Sequence, residues 1–585
     1  MEASRDPQQP GTESTSALSR RPSESSDSAV ALLSRPARGF VRFLYSSNPF
    51  YILSADLVFV GLRISFGSGG PASRTWALWF GLAGYTLLMA TTACFLIRVG
   101  KLWDDLRSLL LLIVMMFLAM ATVGDDTMVA DPNRGTLGNL AGLFFALVVT
   151  ESVLHAISLR LPGWYRAAYY ATLGLVFLYP IALAPAAKAP ESAGLQWALF
   201  AFSPLAGMAF LLLLPAARRG AGYLAKNGSP WRWPLYPWSL FFVIAVGIGI
   251  RCYSLCVSFH FVNGSRTIFG PYFLVPFGLA LSLVWLEIGI AARRKSVMVA
   301  ASAMPLLLAF LATTGHRYEP VYMNFLATFR QTLGGTPFFL ALTAAALFLA
   351  YAVLRKVPLA LELLSVASIA LAFVGPATLD LNQLVPPRSL PLAAAAMIWG
   401  SIALRRRHSV IAAIAAGLFV FAITRGLTQV WPGAESTLVA AHLLLLAFMA
   451  LGAMFDDWLG QFAQSCVSLT LLTVGIASAI HVPVFALVLP PALASWYPLC
   501  VVAVTVAYGR LLHDRTYLAI AAASLAAWFG YSMLGSYQRL RWVLTGLDQI
   551  AWGLLFFLIA AAISLKKAGL WPRSIPAFLF RRSRP

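Results

Sequence analysis

Residues 337–376 read PFFLALTAAALFLAYAVLRKVPLALELLSVASIALAFVGP, two apolar runs (337–354 and 358–376) separated by Arg355 and Lys356. Each run approaches the roughly 20 residues that a helix needs to cross about 30 Å of hydrocarbon. Neither alternates polar and apolar residues as a barrel strand would. Lipid offers no hydrogen bonds to a backbone, so only helices or closed barrels span it, and this stretch reads as a membrane hairpin of two helices closed by a basic turn.

Working outward, the same pattern fills the chain. Apolar runs of helical length alternate with short polar breaks from 49–66 to 548–565, giving about eighteen spans, with a range of sixteen to eighteen. The fold class expected is all-α, a polytopic membrane bundle. The 585 residues are 59% hydrophobic and 11% charged, with a mean hydropathy of +0.77, against roughly a quarter charged residues in a soluble domain. Residues 1–40, rich in Ser, Arg and Pro, read as a disordered basic tail. Residues 41–565 form the transmembrane domain, and 566–585 a short basic C-terminal arm. No secretory signal peptide is visible before the first long apolar run near Pro49. Segment 481–494, interrupted by three prolines, and span 1, with Asp56 and Arg63, are the places where a re-entrant or interfacial path competes with a crossing.

The net charge of +21 is a topology signal. Arg98, Lys101 and Arg107, then Arg160 and Arg166, Arg218 and Arg219, Arg293 to Lys295, Arg355 and Lys356, Arg405 to Arg407, and Arg510 and Arg515 fall in alternate turns, on the same side as both termini. Placing that side in the cytoplasm gathers the whole excess there, as the positive-inside rule requires. Nucleic acid is then excluded as a partner, because no basic residues remain for a groove-matching stripe. The expected partners are the lipid bilayer and other membrane proteins, and the expected location is a bacterial-type inner (plasma) membrane.

Basic turns at Arg293, Arg355, Arg405 and Arg510, with Asp456 at the corresponding place between the last two, suggest a repeated helical hairpin. Any chain of short-looped spans also shows basic turns at every second helix. Gly138 and Gly142 form a GxxxG that suits close helix packing. Pro180, Pro204, Pro276, Pro305 and Pro498 lie inside spans, where they break the hydrogen-bond ladder.

Intramembrane polar groups are costly and mark candidate sites. Glu151 and His155 stand i,i+4 on one helix face, where a carboxylate could orient an imidazole for a proton relay. Glu287 and Glu362 lie near the same basic edge, and Asp56 is deeper; the five together are the candidate substrate or proton path. Arg251 and His442 are partners available to them. Asp125, Asp126 and Asp131, in GDDTMVADPNRG after span 3, read as an outer loop whose carboxylates could act as an enzyme's base or divalent-cation site, although Asp and Asn before Pro or Gly are more often ordinary turn residues. The outer loop His316 to Thr336 carries Arg317, Tyr322 and Arg330, suited to an anionic headgroup or sugar.

The cysteines, Cys94, Cys252, Cys256, Cys466 and Cys500, sit in apolar runs, with no carboxylate or His to complete a ligand set around the i,i+4 pair; no metal or cofactor is expected. No Walker A, GxGxxG, HExxH or GxSxG is present, and the first outer loop, GSGGPASRT, has no acid. The first reading is a transporter-like or membrane-scaffold protein rather than an enzyme. The alternative is a transferase-type membrane enzyme acting on a lipid-linked or headgroup substrate from the outer face.

Overall fold

The computed structural model describes residues 50–66, 72–188, 192–224, 228, 230–231, 233–260, 268–430, 434–480, 491–543 and 546–567. The N-terminal tail, most of the C-terminal arm and most of segment 481–494 lie outside them. Among the described residues the apolar runs are helical and no strand occurs. Twelve helices are long and apolar enough to cross a membrane, and five shorter apolar helices of 10–17 residues accompany them. The outer faces carry Phe144, Met208, Leu347 and Phe557, all more than 60% exposed, as expected where lipid is the solvent. Helix contacts are made instead by small residues such as Ala301, Ala345 and Ala352, each 0% exposed.

The chain forms two compact units. The first runs to Ala360 and adds Pro376–Gln383. Its helices are α1 (Phe50–Phe66), α2 (Ala72–Phe95), α3 (Trp103–Ala130), α4 (Pro132–Ala156), α5 (Gly163–Leu183), α6 (Ala193–Leu211), α7 (Leu214–Arg219), α8 (Leu235–His260), α9 (Val275–Ala291), α10 (Lys295–Leu311), α11 (Pro320–Leu333) and α12 (Pro337–Leu354). α3 is its hub, packed against α1, α2, α4, α5 and α8, while α9 packs on α6, α7, α10 and α12. Gly142 of the GxxxG matters here through close approach: a Cβ there would lie 2.6 Å from the Phe177 ring, so only glycine lets that ring of α5 lie against α4.

The stretch 316–336 is not simply a loop. Within it, α11 turns Tyr322, Phe325, Leu326 and Phe329 inward. Phe329 stacks on Trp197 at 5.6 Å and meets Tyr272 edge-on. Burial pushes the Tyr322 hydroxyl up to about 12.

The second unit contains Leu361–Gly375 and everything from Leu384. Its helices are α13 (Ala360–Phe373), α14 (Ser389–Arg406), α15 (Ser409–Val430), α16 (Ala434–Met454), α17 (Trp458–Ile480), α18 (Pro491–Leu512), α19 (Arg515–Val543) and α20 (Leu547–Lys567). Hairpin α14–α15 packs along its length, α16 joins α15 to α17, and α17, α18 and α19 enclose Val467, Leu471, Tyr508 and Tyr517.

The turns share one backbone device. Ser158, Arg293, Lys356, Arg407 and His513 all have φ between 49° and 57°. The next residue's N–H closes back five residues onto a helix carbonyl, Leu159 to Leu154, Arg294 to Gly289, Val357 to Ala352, His408 to Ala403 and Asp514 to Gly509, at 3.0–3.3 Å. This is the Schellman closure, which normally places glycine at the left-handed position. Here four of the five are basic, which suits the negative end of the helix dipole. The turn at Asp456 is built differently. Asp457 accepts from Gly460 N at the start of α17, and from the Ser409 hydroxyl.

Two predictions follow from these turns. Left-handed backbone costs an L-residue about 1–2 kcal/mol, most for β-branched side chains. Lys356→Val should therefore lower the thermal midpoint of the detergent-solubilised protein, and Lys356→Gly should not; equal midpoints would show that the turn is not held left-handed. Hydrogen bonds from Ser409 first, and then Gly460, hold the Asp457 carboxyl below its ordinary value of 3.8. A depressed folded-state pKa gives stability that is complete above the unfolded value and lost as pH falls through the folded one. Wild type should thus lose stability relative to Asp457→Asn on acidification below about pH 4, as read by thermal unfolding at stepped pH; parallel curves would exclude that contribution.

Candidate functional site

α3 does not end before Asp125 as the sequence suggested; it continues to Ala130, so the expected outer loop is its last turns. Asp125 is 0% exposed and Arg251 of α8 is 1% exposed. The guanidinium grips both carboxylate oxygens, Nη2 donating to Oδ1 at 2.7 Å and Nη1 to Oδ2. Nη2 also donates to the Val176 carbonyl of α5 at 3.2 Å, which ties three helices together. The side chain of Asp126 lies outside the described residues. Asp131 caps α4, accepting from Asn133 N and Arg134 N at 3.2 and 3.3 Å, and pairs with the Arg134 side chain. Asp125 and Asp131 therefore serve different partners, and among the described residues no group of three His, Cys, Asp or Glu is placed to hold a metal ion.

The carboxylates near the basic turns each meet arginine. Glu151 bonds Arg166 and Tyr170 of α5 and not His155, which corrects the expected i,i+4 pair: the guanidinium across the turn is the stronger, charge-assisted donor. Glu287, 1% exposed, takes Arg355 Nη2 at 2.8 Å, Arg218 Nε at 3.4 Å and the Tyr351 hydroxyl. In the second unit Glu362 pairs with Arg406. Glu151 and Glu287 share no ion-pair or hydrogen-bond partner among the described residues, and Asp56 on α1 is exposed. His442, another expected partner, bonds the Tyr497 hydroxyl at 2.7 Å and the Leu438 carbonyl. Tyr322, singled out for headgroup recognition, is 1% exposed and bonded to His316 at 3.1 Å.

What the sequence did not reveal is a cavity. At the basic end of the first unit, the turn after α2 and the turn between α4 and α5 enclose an open basin of about 1100 Å³ lined by Arg98, Arg160, Arg166, Glu151, His155 and Ser158. Arg98 Nε donates to the Ala156 carbonyl at 3.4 Å, binding the two turns to each other. Three guanidiniums face one carboxylate. Leu154, Leu159 and Leu161 line the basin and also a narrow apolar slot of about 60 Å³ between α3, α4, α5 and α8, lined as well by Arg107, Leu111, Val114 and Leu240. The spacing of Arg98, Arg160 and Arg166 in alternate turns was the only sequence signal of this basin.

Breaking a buried pair while leaving one charge behind costs about 3–5 kcal/mol, whereas replacing both partners with apolar residues is often neutral. Arg251→Met or Asp125→Leu alone should therefore destabilise the solubilised protein by about that much, and the double substitution should recover most of the loss. Additive single effects, measured by thermal unfolding, would show that the two side chains are not coupled.

Comparisons of the chain with protein-family models, with curated proteins and with solved structures find no match. The conclusion that stands is architectural: the chain is a multi-pass helical membrane protein in contact with the lipid bilayer.

Proposed function

We propose that the protein is a membrane scaffold of the plasma (inner) membrane, transporter-like in architecture, with its basic turns and both termini cytoplasmic. The observation that carries this reading is the pairing of the ionisable groups within the helices: Asp125 with Arg251, Glu151 with Arg166, Glu287 with Arg218 and Arg355, and Glu362 with Arg406. A proton-coupling carboxylate must load and release its proton in each cycle. Each of these carboxylates is instead bonded to one or two guanidiniums, and each pair joins one helix to another. The outer-face enzyme reading draws no support from Asp125, whose two oxygens are both taken by Arg251, or from Asp131, which caps a helix.

The test has two arms. Reporter fusions should report cytoplasm after Arg294, Arg407 and the C-terminus, and the opposite side at Tyr318. In proteoliposomes with a trapped pH dye, an imposed gradient should decay no faster than in empty vesicles, with Glu151→Gln, Glu287→Gln and Glu362→Gln all silent. Proton flux abolished by one of these substitutions would overturn the scaffold reading in favour of a coupled transporter.

A further inference from the structure

We infer that the basin and the apolar slot together form a binding site for an anionic phospholipid, its phosphate against Arg98 and Arg160 and the first methylenes of one acyl chain entering the slot. Three observations converge on this. The basin carries three guanidiniums against a single carboxylate, and only Arg166 is committed to that carboxylate. Arg160 is exposed and, among the described residues, Arg98 donates to the protein through its Nε, to Ala156, so both retain terminal N–H donors for phosphate oxygens. The basin also adjoins an apolar slot, with which it shares Leu154, Leu159 and Leu161 as lining residues. A soluble anion would use the first feature and leave the second unfilled. A molecule with a charged head and a hydrocarbon tail matches both, and in a protein surrounded by bilayer that molecule is a lipid.

The position fits as well. Basic turns at the end of a helical bundle lie at headgroup depth, where anionic lipids are held by roughly one unit of favourable interaction per basic side chain. Pro162, which opens α5 without a side-chain cap, lines the basin too, so the first turn of that helix adds its positive end to the arginines. This inference does not rest on the scaffold role; a transporter with the same basin would bind the same lipid.

The experiment uses the full chain purified in a neutral detergent, titrated with phosphatidylglycerol, phosphatidylcholine or water-soluble glycerol phosphate and followed by thermal shift and native mass spectrometry. Phosphatidylglycerol should stabilise the protein and remain bound, phosphatidylcholine should do so much less, and glycerol phosphate should not at comparable concentration. Arg98→Gln with Arg160→Gln should weaken phosphatidylglycerol binding about tenfold or more, and the Lys versions of both should retain most of it. Leu111→Trp, which fills the slot, should weaken the long-chain lipid while leaving the weak response to glycerol phosphate unchanged. Equal stabilisation by both lipids, or undiminished binding in the Gln double variant with a normal size-exclusion profile, would overturn the proposal. A response to glycerol phosphate as strong as that to the lipid would reassign the basin to a soluble phosphate ester.

Discussion

A helix that stops at the edge of a bilayer leaves its last four carbonyls without partners, and much of this architecture follows from how they are closed. Water at the headgroup layer could serve them, but the chain reverses within a few residues and uses its own N–H groups. At Ser158, Arg293, Lys356, Arg407 and His513 the backbone turns left-handed and the next N–H reaches back into the helix. Glycine would make that turn most cheaply. At four of the five a basic side chain stands there instead, at a strain of about 1–2 kcal/mol, beside the negative end of the helix dipole. One residue thus closes the helix, fixes the reversal and carries the charge that orients the hairpin.

The same economy explains the buried charges. A carboxylate inside a span is tolerable when a guanidinium arrives at the same depth, and the turns supply guanidiniums at the basic end. Arg166 reaches Glu151 from the next helix, Arg355 and Arg218 reach Glu287 from two others, and Arg406 reaches Glu362. Asp125 lies far from those turns, and its partner stands within a span, as Arg251 on α8. The pairs act as specific joints in a bundle whose other contacts, between alanines and leucines, would allow many registers.

How much of this was legible depends on range. Spans were readable because apolar run length is a local property of the chain, and hairpin 337–376 alone nearly settles the fold class. The end of α3 was misread because Asp125 and Asp126 look like a loop to any local rule; what keeps the helix going is an arginine 126 residues away. A depth argument could have found it: α3 and α8 both run away from basic turns, and Arg251 stands nine residues before the end of α8, Asp125 five before the end of α3. Likewise α11 was hidden in a polar-looking stretch, because the aromatic residues that receive Phe325 and Phe329 come from α6 and the turn before α9. The Glu151–His155 pair had the right spacing and lost to a charge across the turn.

The basin shows how a site can arise from these structural rules without a motif. Once α4 is closed by the left-handed Ser158, the chain must cross a short bridge from Leu159 to Pro162 before α5 can start, with Leu159 buried and Arg160 exposed. Arg98 anchors it from the neighbouring turn through the Ala156 carbonyl. Arg166 is drawn to Glu151 on one wall, which leaves Arg160 and the far end of Arg98 facing the open space. The hydrophobic residues that make the bridge compatible with a membrane, Leu159 and Leu161, turn the other way and become the wall of the slot. Arginines on one side of three leucines and an apolar slot on the other are what this helix reversal produces, with Arg160 and Arg166 following the left-handed Ser158. A pocket with that polarity has the shape of a lipid's own division between head and tail.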